Sequence, residues 1–359
     1  MILKTFGWSF AITAAALIGA LLLGGPQALL LVAILCILEI SLSFDNAVVN
    51  AKILVRMNEF WQKMFLTVGI LIAVFGMRLI FPLLIVGVTA NLGPVEALQL
   101  AAAGGDIDEP GTYAYLLNEA HPTIAAFGGM FLMMLFLDWL FEEREHTWLS
   151  WLEEPLARLG KLDVLSVVIA LAALVAAAEY LAEDPGTVMV SGALGIITYL
   201  VVNGLGSLFE AQGLEEAEEA GAGGPSNLVK ASGKAAFFLF LYLEVLDASF
   251  SFDGVIGAFA ITQDIFIIAT GLGVGAMYIR SMTVYLVRKG TLQEFVYLEH
   301  GAHWAIGALA TILLLTISLH VSELITGFIG VAFIGLAFYS SVRKRRSAQV
   351  VDDVSHAAR

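Results

Sequence analysis

From Phe6 to Leu23 the chain carries no charged residue, and nine further predominantly apolar runs follow it. Lipid offers the backbone no hydrogen bonds, so runs of this length cross a bilayer as helices. They cover roughly 6–24, 28–49, 64–88, 122–140, 162–181, 187–208, 235–257, 265–287, 303–319 and 324–341. The expected fold is therefore all-α, a polytopic membrane helix bundle of about ten spans. At 59% hydrophobic over 359 residues, the chain is too apolar for a soluble domain of this size. The first run follows Lys4 and resembles the apolar core of a signal peptide. It is long for one and lacks a small-x-small cleavage site, so a retained first helix is expected.

Basic residues set the expected orientation. With ten spans, one set of loops holds Lys52, Arg56, Lys63, Arg144, Arg158, Lys161, Lys230, Lys234, Arg288 and Lys289. Lys4 and the tail Arg343-Lys344-Arg345-Arg346 fall on the same side. The opposite loops, 25–27, 89–121, 182–186, 258–264 and 320–323, contain no Lys or Arg. Both termini are thus expected in the cytoplasm. The chain divides into a first membrane half (1–209), a flexible acidic cytoplasmic linker (210–234), a second membrane half (235–341) and a basic tail (342–359). The inner segment 141–161 carries Trp148, Leu149, Trp151 and Leu152, which suit an amphipathic turn at the interface.

Within this apolar frame lies Glu39-Ile-Ser-Leu-Ser-Phe-Asp45-Asn46, and a second copy reads Asp247-Ala-Ser-Phe-Ser-Phe-Asp253-Gly254. Acids inside a membrane segment are expensive and mark function by default. The likeness extends further. Gly69 precedes Arg78 by nine positions and Gly271 precedes Arg280 by nine, while Glu119-Ala-His121 and His300-Gly-Ala-His303 open the next spans. Spans 2, 3 and 4 thus match 7, 8 and 9. An odd offset of five makes this an inverted-topology repeat, the plan of secondary transporters with a midplane site.

Glu39, Asp45, Asn46, Asp247 and Asp253 are the candidate metal ligands, with Ser43, Glu244 and Ser251 as additional ones. The donors are all oxygen, which suits Mg²⁺, Ca²⁺ and Mn²⁺ rather than Zn²⁺ or Cu⁺. Arg78 and Arg280 are read as counter-charges. Against the four motif acids they leave a net charge of −2, matching a divalent ion. Glu39 and Asp45 are six residues apart, about 240° around a regular helix. One ion can reach both only if the chain breaks near Ser43–Asn46, and Asp253-Gly254 carries the same tendency. Alternatively the acids are structural, locked to Arg78 and Arg280. Asp138 and His320, like His121 and His303, sit at matching places at opposite mouths. They suit a gate, a proton relay or ordinary polar helix ends. The Gly271/Gly273/Gly275 run reads as helix packing.

Several classes are excluded. A net charge of −14 argues against nucleic acid as a partner. Cys36 is the only cysteine, which rules out an internal disulfide. No P-loop accompanies Gly233-Lys234, and no nucleophile–base set or zinc-protease motif is present, so an enzyme is not expected.

The acid-x5-Asp-Asn motif, the later Asp-x5-Asp followed by Gly-Val-Ile-Gly-Ala-Phe-Ala-Ile-Thr262, and mid-span Arg280 resemble the TerC/Alx family of bacterial membrane proteins, in the LysE transporter superfamily. Phe295-Val-Tyr-Leu-Glu-His-Gly is similar to that family's segment before its next helix. The resemblance covers about 30–140 and 235–340. Gly254 and Gly257 replace the Ser and Pro usual there. The resemblance implies metal-ion transport, with manganese export foremost, a link to tellurium resistance, and an acidic site at Glu39, Asp45, Asn46, Asp247 and Asp253. The expected function is a secondary transporter moving a divalent cation, Mn²⁺ foremost, out across the bacterial inner membrane with proton coupling and no resident cofactor. Its partners are the metal ion and the lipid bilayer. The alternative is a non-transporting membrane scaffold of a tellurium or stress-resistance complex.

Overall fold

The computed structural model describes residues 2–357 except 145, 161–163, 220–232, 263, 290–294, 320 and 322. At some helical positions, Asp45, Ser251 and Asp253 among them, it describes the backbone alone. The described residues form helices and no strands. In order these are α1 (Ile2–Leu42), α2 (Phe44–Val55), α3 (Glu59–Met64), π-helical stretches Phe65–Gly69 and Ile72–Ile80, α4 (Phe81–Thr89), α5 (Pro94–Ala103), α6 (Tyr113–Glu119) and α7 (His121–Phe141). They continue with α8 (Ser150–Leu159), α9 (Leu165–Tyr180), α10 (Pro185–Glu219), α11 (Gly233–Ile261), α12 (Ile265–Lys289), α13 (Leu298–Leu315) and α14 (Glu323–Ala357).

Among the described residues, seven helices are long and apolar enough to cross a membrane, so the chain is a multi-pass helical membrane protein. The first is the run Thr5–Ile40, which joins two of the spans read from the sequence. Its joint is a kink at Gly25, whose φ of 72° is natural only for glycine, followed at once by Pro26. Asn46–Val55 and Leu165–Tyr180 are apolar but shorter than a full crossing.

Two differences from the sequence expectations concern loops. Segment 89–121 is not a plain loop. It folds into α5 and α6, whose Ala97, Ala101, Tyr113, Ala114 and Leu117 are buried. The last four of these share a core with Leu35, Leu38, Val255 and Leu272. The expected linker at 210–234 is helical at its start, because α10 continues to Glu219, and helical again from Gly233. Residues 220–232 lie outside the described residues.

Helix α7 lies at the centre of the bundle, packed by α10 on one side and α13 on the other. α1 and α12 make the most extensive helix pair. Glycine permits that approach. A Cβ on Gly271 would stand 2.6 Å from Leu35 Cβ, and one on Gly275 would stand 2.5 Å from Glu39 Cβ. The run Gly271/Gly273/Gly275 is therefore a packing stripe, as expected.

Segment 141–161 does form a short amphipathic helix, α8, with Trp151 exposed to the surroundings. The buried residue on it is an acid. Glu153 Oε2 lies 3.0 Å from His300 Nδ1, and Trp304 Nε1 donates to Glu153 Oε1 at 3.0 Å. The Trp148 amide also donates to it at 3.0 Å. Trp148 Nε1 in turn donates to Ser340 Oγ at 3.1 Å, tying the segment just before α8 to α14. Burial alone would raise the Glu153 carboxyl. The bonds from His300 and Trp304, the His300 charge and the Trp148 amide outweigh burial and lower it to about 2. A carboxyl held below its ordinary value of about 4.5 stabilises the fold above that pH and loses the effect as pH falls toward 2. We therefore expect the unfolding midpoint of the wild type to fall between pH 4.5 and pH 2, and Glu153→Gln to flatten that fall. Unfolding scans in detergent across this range check it.

Candidate functional site

The first acidic motif sits where α1 ends. Ser43 leaves helical geometry (φ −105°, ψ 16°), and α2 starts at Phe44. The break expected near Ser43–Asn46 is thus present, but as a one-residue kink. The Ser43 amide still donates to Glu39 O at 3.0 Å. The second motif has no break at all. α11 runs continuously through Ser251–Gly254, so the tendency of Asp253-Gly254 does not break the helix there. A single glycine costs a helix only about 1 kcal/mol, too little to interrupt a helix whose packing fixes it.

Glu39 is 1% exposed. Ser43 Oγ donates to Glu39 Oε1 at 2.8 Å, and the Arg78 guanidinium forms an ion pair with the same oxygen. Arg78 Nη1 also donates to Ala73 O at 2.5 Å. Arg78 belongs to the π-helical stretch Ile72–Ile80, a form frequent at functional sites.

Asp247 and Glu244 lie one turn apart on α11, both buried. Arg280 Nη2 stands 3.5 Å from Asp247 Oδ2 and 3.6 Å from Glu244 Oε1. The guanidinium donates to Phe65 O at 3.2 Å and Gly69 O at 3.0 Å, and lies 3.8 Å from the centre of the Phe65 ring. Asn46 Nδ2 donates to Asp247 Oδ1 at 2.7 Å. Glycine at 69 leaves room for both groups, since a Cβ there would stand 2.6 Å from Glu244 Oε1 and 2.9 Å from Arg280 Nη1.

The two motifs touch in a crossed pattern. Asn46, which follows Asp45, meets Asp247. Gly254, which follows Asp253, abuts Glu39, and a Cβ there would stand 3.1 Å from Glu39 Oε2. Each motif's first acid is thus met by the position after the second acid of the other. Farther along, Trp61 packs on Phe237 and Phe240 at 5.9 and 5.6 Å between ring centres. Glu39 on α1, Asn46 on α2 and Trp61 on α3 thus meet α11 in reverse order, and α2 runs antiparallel to α11. The side chains of Asp45, Ser251 and Asp253 lie outside the described residues. Among the described residues, no group of three His, Cys, Asp or Glu is arranged to hold a metal.

The expected gate residues occupy separate surroundings. Asp138 accepts from Tyr199 Oη at 2.7 Å. His303 stacks on Trp139 at 4.6 Å, with Nδ1 2.8 Å from Glu299 O. His121 lines a cavity of about 600 Å³ with Leu42, Glu119, Glu183, Asp184 and Thr187. Among the described residues, no Lys or Arg lines it. The hydrogen bond from Thr187 Oγ1, 2.5 Å long, holds the Asp184 carboxyl below its ordinary value. His320 lies outside the described residues.

Sequence reasoning missed Glu153 and Asn50. Glu153 falls at the helical spacing of Leu149, Leu152 and Leu156, an acid on the apolar face of an amphipathic helix, which is a readable signal. Asn50 is one turn beyond Asn46 on the same face and is fully buried.

Fold and site together define a multi-pass helical membrane protein with buried acid–guanidinium pairs at the junction of two related segments. The chain belongs to the family described as Protein of unknown function (DUF475), whose sequence model matches residues 44–348. No curated protein and no solved structure matches the chain.

Removing one partner of a buried ion pair leaves an uncompensated charge, at a cost of about 3–5 kcal/mol. Arg78→Met should therefore destabilise the protein strongly. The double change Glu39→Gln with Arg78→Met should cost less than Arg78→Met alone. Unfolding free energies of the two variants and the wild type decide this.

Proposed function

We propose that the protein is a secondary transporter of a divalent cation, with Mn²⁺ the foremost substrate, exporting it across the bacterial inner membrane. The observation that carries this is the matched pairing of buried charges. Glu39 with Arg78 and Asp247 with Arg280 fall at equivalent positions of the two sequence motifs. The crossed contacts of Asn46 and Gly254 relate the motifs in the way an inverted repeat would. Ten spans are consistent with that topology when α1 is counted twice at its Gly25 kink and Leu165–Tyr180 and α11 join the other six long apolar helices.

In this proposal the guanidiniums hold the vacant carrier neutral. A divalent cation reaches Glu39, Asp45, Asn46, Asp247 and Asp253 when the guanidiniums turn away, with Ser43 and Ser251 as further oxygen donors. The ligand set is all oxygen, which favours Mn²⁺, Ca²⁺ or Mg²⁺. Protonation of one carboxylate would couple the cycle to the proton gradient. The acidic cavity beside Leu42 would concentrate cations at the outer mouth. The resemblance to TerC/Alx proteins points to the same ion class, and both termini are assigned to the cytoplasm from the Lys/Arg distribution.

One observation favours a second function. Both first acids already have guanidinium partners, as they would in a non-transporting scaffold of a tellurium or stress-resistance complex. Flux separates the two. Proteoliposomes carrying the full chain should show saturable Mn²⁺ flux, abolished by Asp45→Ala or Asp253→Ala. A scaffold would show none, and unchanged flux in both variants would remove these residues from the site.

A further inference from the structure

Asn50 is 0% exposed, and neither its Oδ1 nor its Nδ2 has a hydrogen-bond partner among the described residues. A buried amide left so is costly, and such groups in native proteins call for an explanation, an ion or water among them. A leucine would fill the same place without that cost.

Its level in the bundle supplies the explanation. α2 and α11 are antiparallel: Glu39 lies beside Gly254, Asn46 bonds Asp247, and Trp61 packs on Phe237 and Phe240. One turn along α2 from Asn46 is Asn50. One turn back along α11 from Asp247 is Glu244. Both steps lead toward the Trp61 end, so Asn50 and Glu244 stand at the same height. Glu244 is also buried, neither of its oxygens has a hydrogen-bond partner among the described residues, and its cationic neighbour Arg280 stands 3.6 Å away. The same Arg280 guanidinium donates to the Gly69 carbonyl at 3.0 Å.

We infer that Asn50 and Glu244 form a second cation position, one helical turn from the Asn46–Asp247 contact toward the Trp61 end of the bundle. It takes a divalent cation of oxygen-ligand preference. This rests on the carrier function proposed above and adds a step to it. A cation leaving Asp247 exchanges one carboxylate and one amide for another such pair, while Arg280, which stands between the two acids, closes on Asp247. Two neighbouring positions of similar chemistry make each step small, so no single site holds the ion too tightly for release.

The test uses full-length protein in proteoliposomes, with Mn²⁺ as probe, and Asn50→Leu, Glu244→Gln and their double variant. Metal-free unfolding midpoints are measured on the same preparations. Asn50→Leu should keep or raise the midpoint yet lower saturable Mn²⁺ flux about tenfold. The double variant should lose no more flux than the worse single one, because both residues serve one ion. Wild-type flux in Asn50→Leu would overturn the inference. So would a lowered midpoint with flux reduced only in proportion to folded protein, the mark of a structural water. Losses that add in the double variant would overturn it as well. If the wild type itself moves no Mn²⁺, the carrier function fails, and the second position falls with it. If only the variants behave like wild type, the carrier stands and the second position alone is wrong.

Discussion

A carboxylate cannot stay charged in the membrane interior without a partner, and this one constraint organises the centre of the protein. Glu39 meets Arg78, while Asp247 and Glu244 share Arg280. Much of the surrounding architecture is shaped to let these groups meet. Gly275 leaves room for the Glu39 side chain, and Gly69 does the same for Glu244 and Arg280. The π-helical stretches between Phe65 and Ile80 carry the backbone carbonyls that receive both guanidiniums. Helix α1 bends at Gly25 and ends at Ser43, so its last turn delivers Glu39 against α12.

Polar groups at the two ends of the bundle differ in kind. One end carries a cavity lined by Glu119, Glu183 and Asp184. The other carries a locked cluster in which Glu153 fastens α8 to α13, and Lys52 pairs with Glu299 at 2.5 Å. In the proposed carrier the open acidic end collects cations and the fastened end must loosen for ions to pass. The cluster around Glu153 is then a structural brace whose strength depends on its ionised carboxylate.

Much of this was legible in the chain because lipid makes polar residues conspicuous. The apolar runs point to an all-helical membrane bundle, and the charges of mid-span Arg78 and Arg280 stand out in them; each forms an ion pair with a buried acid. The glycine stripe on α12 was legible too, since small residues at close spacing have one common use in membranes. Other features hid for physical reasons. The kink at Ser43 was expected, but the unbroken path of α11 through Gly254 was not, because local propensity is a weak prior beside tertiary packing. Helices α5 and α6 are not legible as helices in the sequence, since their composition is mixed and their burial comes from contacts with Leu35 and Leu38 far along the chain. Asn50 escaped notice because its level relative to Glu244 follows only from how α2 and α11 are aligned.

Ligand-linked stability tests the central claim most directly, because a cation that binds the folded state alone must raise its unfolding midpoint. Purified full-length protein should unfold at a higher temperature as Mn²⁺ is raised, with a smaller response to Mg²⁺, and Asp247→Asn should abolish the shift. A midpoint indifferent to Mn²⁺, Ca²⁺ and Mg²⁺ alike would contradict the account and leave the buried acids as structural partners of Arg78 and Arg280.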